Sequence, residues 1–148
     1  MTIQRVLLLT FAALIGSACD EKLRDVAGPT PDLQPTLSSI QREIFNKQDS
    51  TGRLACTQCH NPGGRNFVAG LVLTEGLAFQ ELVGRASLNK PGAVRVIPGD
   101  PEGSYLIHKL EGRSTIAGER MPRSIGPYLT SGQISIIRRW IQLGAKND

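Results

Sequence analysis

Five consecutive residues, Cys56-Thr57-Gln58-Cys59-His60, constrain this chain more than any other stretch. Two thiols three positions apart, followed at once by an imidazole, form the C-x-x-C-H pattern of covalent haem attachment. The chemistry requires that spacing. The two sulfurs can add to two vinyl groups along one porphyrin edge, and the adjoining histidine then lies under the iron as an axial ligand. Such an imidazole binds in its neutral form, with its other ring nitrogen oriented by a backbone carbonyl or similar acceptor. Two other chemistries share a bare C-x-x-C. A zinc knuckle needs four ligands, and only Cys19 and His108, both remote, are left to supply a second pair. A redox dithiol of thioredoxin type needs a βαβ context, whereas this motif sits among Gly, Asn and Thr with no strand pattern before it.

The first eighteen residues read as an export signal rather than as part of the fold. Arg5 supplies a positive start, Val6 to Ile15 is apolar, and Gly16-Ser17-Ala18 is a run of small residues, too short in all for an ordinary membrane span. Cys19 follows directly, where a lipoprotein carries its acylated cysteine, although Gly16 stands where such signals usually have Leu. Acylation of Cys19 and ordinary cleavage after Ala18 are the two processing outcomes. Cysteine arithmetic favours the first: with lipid on Cys19 and haem on Cys56 and Cys59, no thiol is left over in an oxidising compartment. Residues 19–35 are polar and then Pro-rich, and are expected to form a tether between a membrane anchor and a domain spanning 36–148.

Along that domain the pattern is helical. Leu37, Ile40, Ile44 and Phe45 recur at helical spacing after a Ser38/Gln41 capping box, predicting a helix over 37–48. Residues 61–73 read as irregular chain with Phe67, Leu71 and Leu73 as apolar contacts. A second helix is predicted from Thr74 to about Val83. A third is predicted over 102–111, with Asp100 as its cap, Pro101 at its first position and Gly112 as its stop. The last runs from a Thr130/Gln133 capping box to Gly144, with Ile134, Ile136, Ile137, Trp140, Ile141 and Leu143 on a broad apolar face. It is expected to be the most buried helix and to pack on the first. Residues 84–95 carry no assignable pattern.

A six-coordinate iron needs a ligand opposite His60, and beyond the leader the chain has one methionine, Met121, and one other histidine, His108. Met121 lies in an Arg-Met-Pro turn, a poor place for core filler and a rigid place to hold a thioether. His108, between Ile107 and Lys109, reads as an exposed or propionate-contacting side chain. The formal net charge of +4 arises in the last forty residues and is too mild for a nucleic-acid partner. The arginines at 113, 120, 123, 138 and 139 read as a solvated face, or as a patch that steers acidic redox partners.

Helix, C-x-x-C-H, wrapping loops, a methionine loop and a terminal helix together resemble a class I cytochrome c, of the small exported bacterial kind. The stretches that carry the resemblance are 56–61, 96–104, 120–122 and 140–145, within residues 36–146. It implies an all-α fold of about four helices around one haem c, with the N- and C-terminal helices packed together. It also implies thioether links at Cys56 and Cys59, with His60 and Met121 as the iron ligands. The expected function is single-electron transfer to redox partner proteins in the periplasm, from a lipid anchor on Cys19, and not catalysis. The alternative class is a haem enzyme or gas sensor with a labile distal site, for which His108 would have to serve as acid/base.

Overall fold

The computed structural model describes residues 28–63, 70–123 and 127–148. The leader, Cys19, the start of the tether and Phe67 lie outside the described residues. Among those described, the regular elements are all helical and there is no sheet, only isolated bridges. The elements are α1 (Leu37–Ile40), continued without a break by a π-helical segment (Gln41–Phe45), a 3-10 turn (Cys56–Gln58), α2 (Ala78–Leu82), α3 (Tyr105–Glu111) and α4 (Ser131–Gln142). No helix among the described residues is long and apolar enough to cross a membrane.

The first helix starts one hydroxyl earlier than the sequence suggests. Thr36, not Ser38, is the cap: its side chain accepts from the Ser39 amide. With hydroxyls at 36, 38 and 39, the one in extended backbone takes that role. The helix then widens, as the Asn46 amide reaches back five residues to the Gln41 carbonyl at 2.9 Å, and it ends at Phe45 rather than near Gln48. The predicted tether is corrected at its C-terminal end. Leu33 is fully buried, and the nearby Thr30 is almost so. A proline-rich composition describes a stiff segment, and a stiff segment with one leucine can still dock that leucine.

At the other end, α4 keeps its predicted start. Thr130 accepts from the Gln133 amide at 3.2 Å while the Gln133 side chain accepts from the Thr130 amide at 2.9 Å, a reciprocal capping box. Ile136, Ile137, Trp140 and Ile141 are buried, whereas Leu143, expected on the same face, is about half exposed. The helix lying closest along α4 is α3. The first helix meets it through the shared core of Leu33, Leu37, Ile40, Ile44, Ile137, Trp140 and Ile141. It is also tied to the chain's last residue, for Asp148 accepts from the Leu37 amide through its side chain and from the Ser38 amide through its backbone. Thr130→Ala should cost about 1 kcal/mol, readable as a lower urea midpoint with an unchanged slope.

Helix α3 starts later than predicted. Its cap is Ser104, while Asp100 accepts from the Gly103 amide and closes the turn before it. Gly112 ends the helix in the left-handed region at φ 72°, as predicted. Residues 84–95 form a short excursion closed by long-range backbone bonds. Val83 bridges Val96 and Ala86 bridges Val94, while the Tyr105 and Leu106 amides donate to Val94 and Arg95. No local pattern encodes such a loop, because its partners are distant in sequence.

Candidate functional site

The C-x-x-C-H stretch is positioned by the end of the π-helical segment. A helix terminus leaves its last carbonyls without partners, and here side chains from the motif's own approach supply them. The Arg53 guanidinium, fully buried, donates to the carbonyls of Glu43, Ile44, Lys47 and Leu54 at 2.9–3.3 Å. Its Nε donates to Asp49 Oδ2 at 3.0 Å. The Thr57 hydroxyl, inside the motif, donates to the Phe45 carbonyl at 2.9 Å. Asp49 also accepts from the Thr51 amide and hydroxyl and from Gln133 Nε2, which in turn donates to Thr30 at 3.1 Å. A polar network drawn from both ends of the domain thus holds the motif from beneath.

Within the motif, the Cys59 and His60 amides both donate to the Cys56 carbonyl, at 3.2 and 2.9 Å. The two thiols are not joined to each other. Cys56 keeps some accessible surface, but its sulfur lies among apolar side chains near the Ile44 carbonyl. Burial pushes that thiol up to about 11, with the Arg53 charge opposing. A redox dithiol needs the reverse, an attacking cysteine with a lowered value. In haem-free protein Cys56 should therefore alkylate at pH 8 roughly a hundredfold more slowly than an ordinary thiol, as timed mass spectrometry would measure.

His60 is held by its carbonyl, which accepts from the Leu73 amide at 2.8 Å. Burial is the main reason its ring sits below the usual imidazole range; the charges of Arg95 and Lys109 act the same way, and the Leu71 backbone opposes them. The ring is neutral at pH 7, with a lone pair to offer. Nδ1 is buried, without a hydrogen-bond partner among the described residues. The strand of chain passing the ring, 70–73, is anchored by Arg95, which donates to Gly70 O at 3.0 Å and to Glu81 through its carbonyl and carboxylate.

Met121 is half-buried against the core that also carries Cys56 and Leu71. Its amide donates to the Lys109 carbonyl at 2.9 Å, and its peptide bond to Pro122 is cis. Lys109 thus holds the backbone of Met121, and its charge is a minor influence on the His60 ring. His108 turns elsewhere. Its Nε2 lies 2.5 Å from the Glu102 carbonyl and its ring meets Tyr105 edge-on. Among the described residues no group of three or more His, Cys, Asp or Glu side chains could hold a metal ion, so no second zinc-ligand pair stands beside the motif there.

The chain matches no family model, no curated protein and no solved structure.

The C-terminal arginines are largely compensated. Arg113 and Arg138 each pair with both Glu102 and Glu111, and Arg123 pairs with Glu119. Arg120 stacks on Tyr128 with its guanidinium carbon 3.9 Å from the ring centre. Asp49, Arg53, Arg95 and Gln133 were not legible as site residues. The one local hint was the four-residue spacing of Asp49 and Arg53 directly ahead of Cys56.

Proposed function

We propose that this protein is an exported single-haem c-type cytochrome that carries single electrons, with Cys56 and Cys59 as the thioether links and His60 and Met121 as the axial ligands. The finer fold that goes with this reading is a cytochrome c-like wrap of helices around the haem, with the domain tethered through a lipidated Cys19. The observation that carries the reading is the motif itself, held in a tight turn with a half-buried, neutral imidazole whose Nδ1 has no partner among the described residues. An unpaired polar atom in a packed interior is costly unless a function uses the ring.

The donor set suits the group. Two unbridged thiols stand three positions apart, the imidazole is unprotonated, and the thioether is partly sheltered. When bound, such a haem supplies a reversible one-electron couple, and thioether ligation raises its potential. The chain's own work is to hold. Arg53 and Thr57 fix the turn that carries Cys56, Cys59 and His60. Arg95 and the Leu73 amide fix the backbone on either side of the ring, and Lys109 fixes the amide of Met121. Cys56, Leu71 and Met121 pack against one apolar core, an environment that would favour electron exchange without ligand exchange.

The full chain should be produced in a host with cytochrome c maturation machinery. A haem that survives denaturation on the polypeptide is expected, with a sharp reduced spectrum and a weak near-infrared methionine–iron band when oxidised. Met121→Ala should abolish that band and keep the covalent haem, and His108→Ala should leave it intact. A colourless product sinks the proposal. Rapid carbon monoxide binding to the reduced native protein would favour a haem enzyme or gas sensor instead, although His108 spends its Nε2 on the Glu102 carbonyl.

A further inference from the structure

The segment from Arg113 to Met121 has no regular structure, yet hydrogen bonds to α3 and to Lys90 hold it. The Lys109 ammonium donates to the Ala117 carbonyl at 2.9 Å and also to the Glu119 carbonyl. The Tyr105 hydroxyl accepts from the Ala117 amide at 2.8 Å. The Arg120 Nε donates to the Leu110 carbonyl at 2.7 Å, and Lys90, lying over the Tyr105 ring, donates to Thr115. Lys109 is the member that acts twice, because its own carbonyl takes the Met121 amide at 2.9 Å.

We infer that Lys109 is a positioning residue for Met121: its ammonium pins the last turn of the loop and its backbone fixes the amide of the residue that carries the thioether. The inference rests on the reading of Met121 as an iron ligand. A loop of this length without regular structure gains little from its own backbone. Charge-assisted bonds to two carbonyls close to Met121 remove most of its freedom where it matters. The ammonium is partly buried and faces the Ala117 and Glu119 carbonyls. A cation is kept in such a place only when several acceptors face it.

The test compares Lys109→Met, Lys109→Gln and Lys109→Arg in the holoprotein, with Lys90→Met as a control on the far side of the same loop. Lys109→Met should retain covalent haem but lose or strongly weaken the near-infrared methionine band. Its Met121 amide should exchange with solvent roughly tenfold faster than in the wild type, the equivalent of one lost charge-assisted bond. Lys109→Arg, which can donate to two carbonyls, should retain the band, as should Lys90→Met. If Lys109→Met does not fold, the contrast between the Gln and Arg variants decides. A full-strength band in the Met or Gln variant overturns the inference and leaves the ligand reading standing, and so does loss of the band in the Arg variant. A wild-type holoprotein with no methionine band overturns the ligand reading and this inference with it.

Discussion

Arg53→Met should destabilise the domain by about 3–5 kcal/mol, enough to leave a marginal fold partly unfolded at room temperature. The methionine fills a similar volume, so the cost is electrostatic rather than steric. It strands the Asp49 carboxylate and the carbonyls of Glu43, Ile44 and Lys47 without their donor. Urea unfolding followed by Trp140 fluorescence would measure it. Removing the other charge as well, in Asp49→Asn/Arg53→Met, should recover part of the loss, because breaking a buried pair costs more than replacing both members. A single variant within 1 kcal/mol of the wild type would show that the network is ornamental.

The same pair sets an acid limit. Burial tends to raise Asp49, but the hydrogen bonds from Thr51 and the Arg53 charge together hold it below the ordinary carboxylate value of 3.8. A depressed folded value contributes stability that is present above 3.8 and is lost as pH falls through the folded value. Acid unfolding should therefore begin below about pH 4, and Asp49→Asn should flatten that limb while lowering stability at neutral pH.

The second large effect concerns attachment. Cys56→Ala/Cys59→Ala should remove every covalent link, so that acidified solvent extracts all of the haem from the polypeptide instead of none. The fold should survive in outline. The core of Ile137, Trp140, Ile141, Leu37 and Ile40 draws on the motif only at Cys56, and truncating one half-buried thiol costs on the order of 1 kcal/mol. Each single variant should retain one thioether and a covalent haem. Haem that stays bound through denaturation in the double variant would sink the assignment of both cysteines.

How much of this was readable beforehand followed the reach of the interactions. The Thr130/Gln133 box and the Gly112 stop are encoded within three or four residues, and sequence inspection finds them. The caps at Thr36 and Ser104 were misplaced, because hydroxyls two residues apart, or an Asp-Pro pair, offer equivalent local choices that packing then decides. Residues 84–95 were unreadable because they are held by Leu82, Val96, Tyr105 and Leu106. Leu33 was misread because composition reports stiffness and not docking. At the site, the motif was plain while its support was not. A buried arginine looks like any surface arginine until the carbonyls around it are known, and one partner of the Asp49 group lies 84 residues away.

That separation has a consequence for the order of events in the making of the protein. Gln133 belongs to the last tenth or so of the chain, yet it clasps Thr30 and Asp49 near the start. A polypeptide synthesised or threaded N-terminus first presents Cys56 and Cys59 long before that clasp can close. For that interval the turn that carries the pair lacks the part of its support that the final helix brings, and on the proposed reading haem would attach before that support is complete.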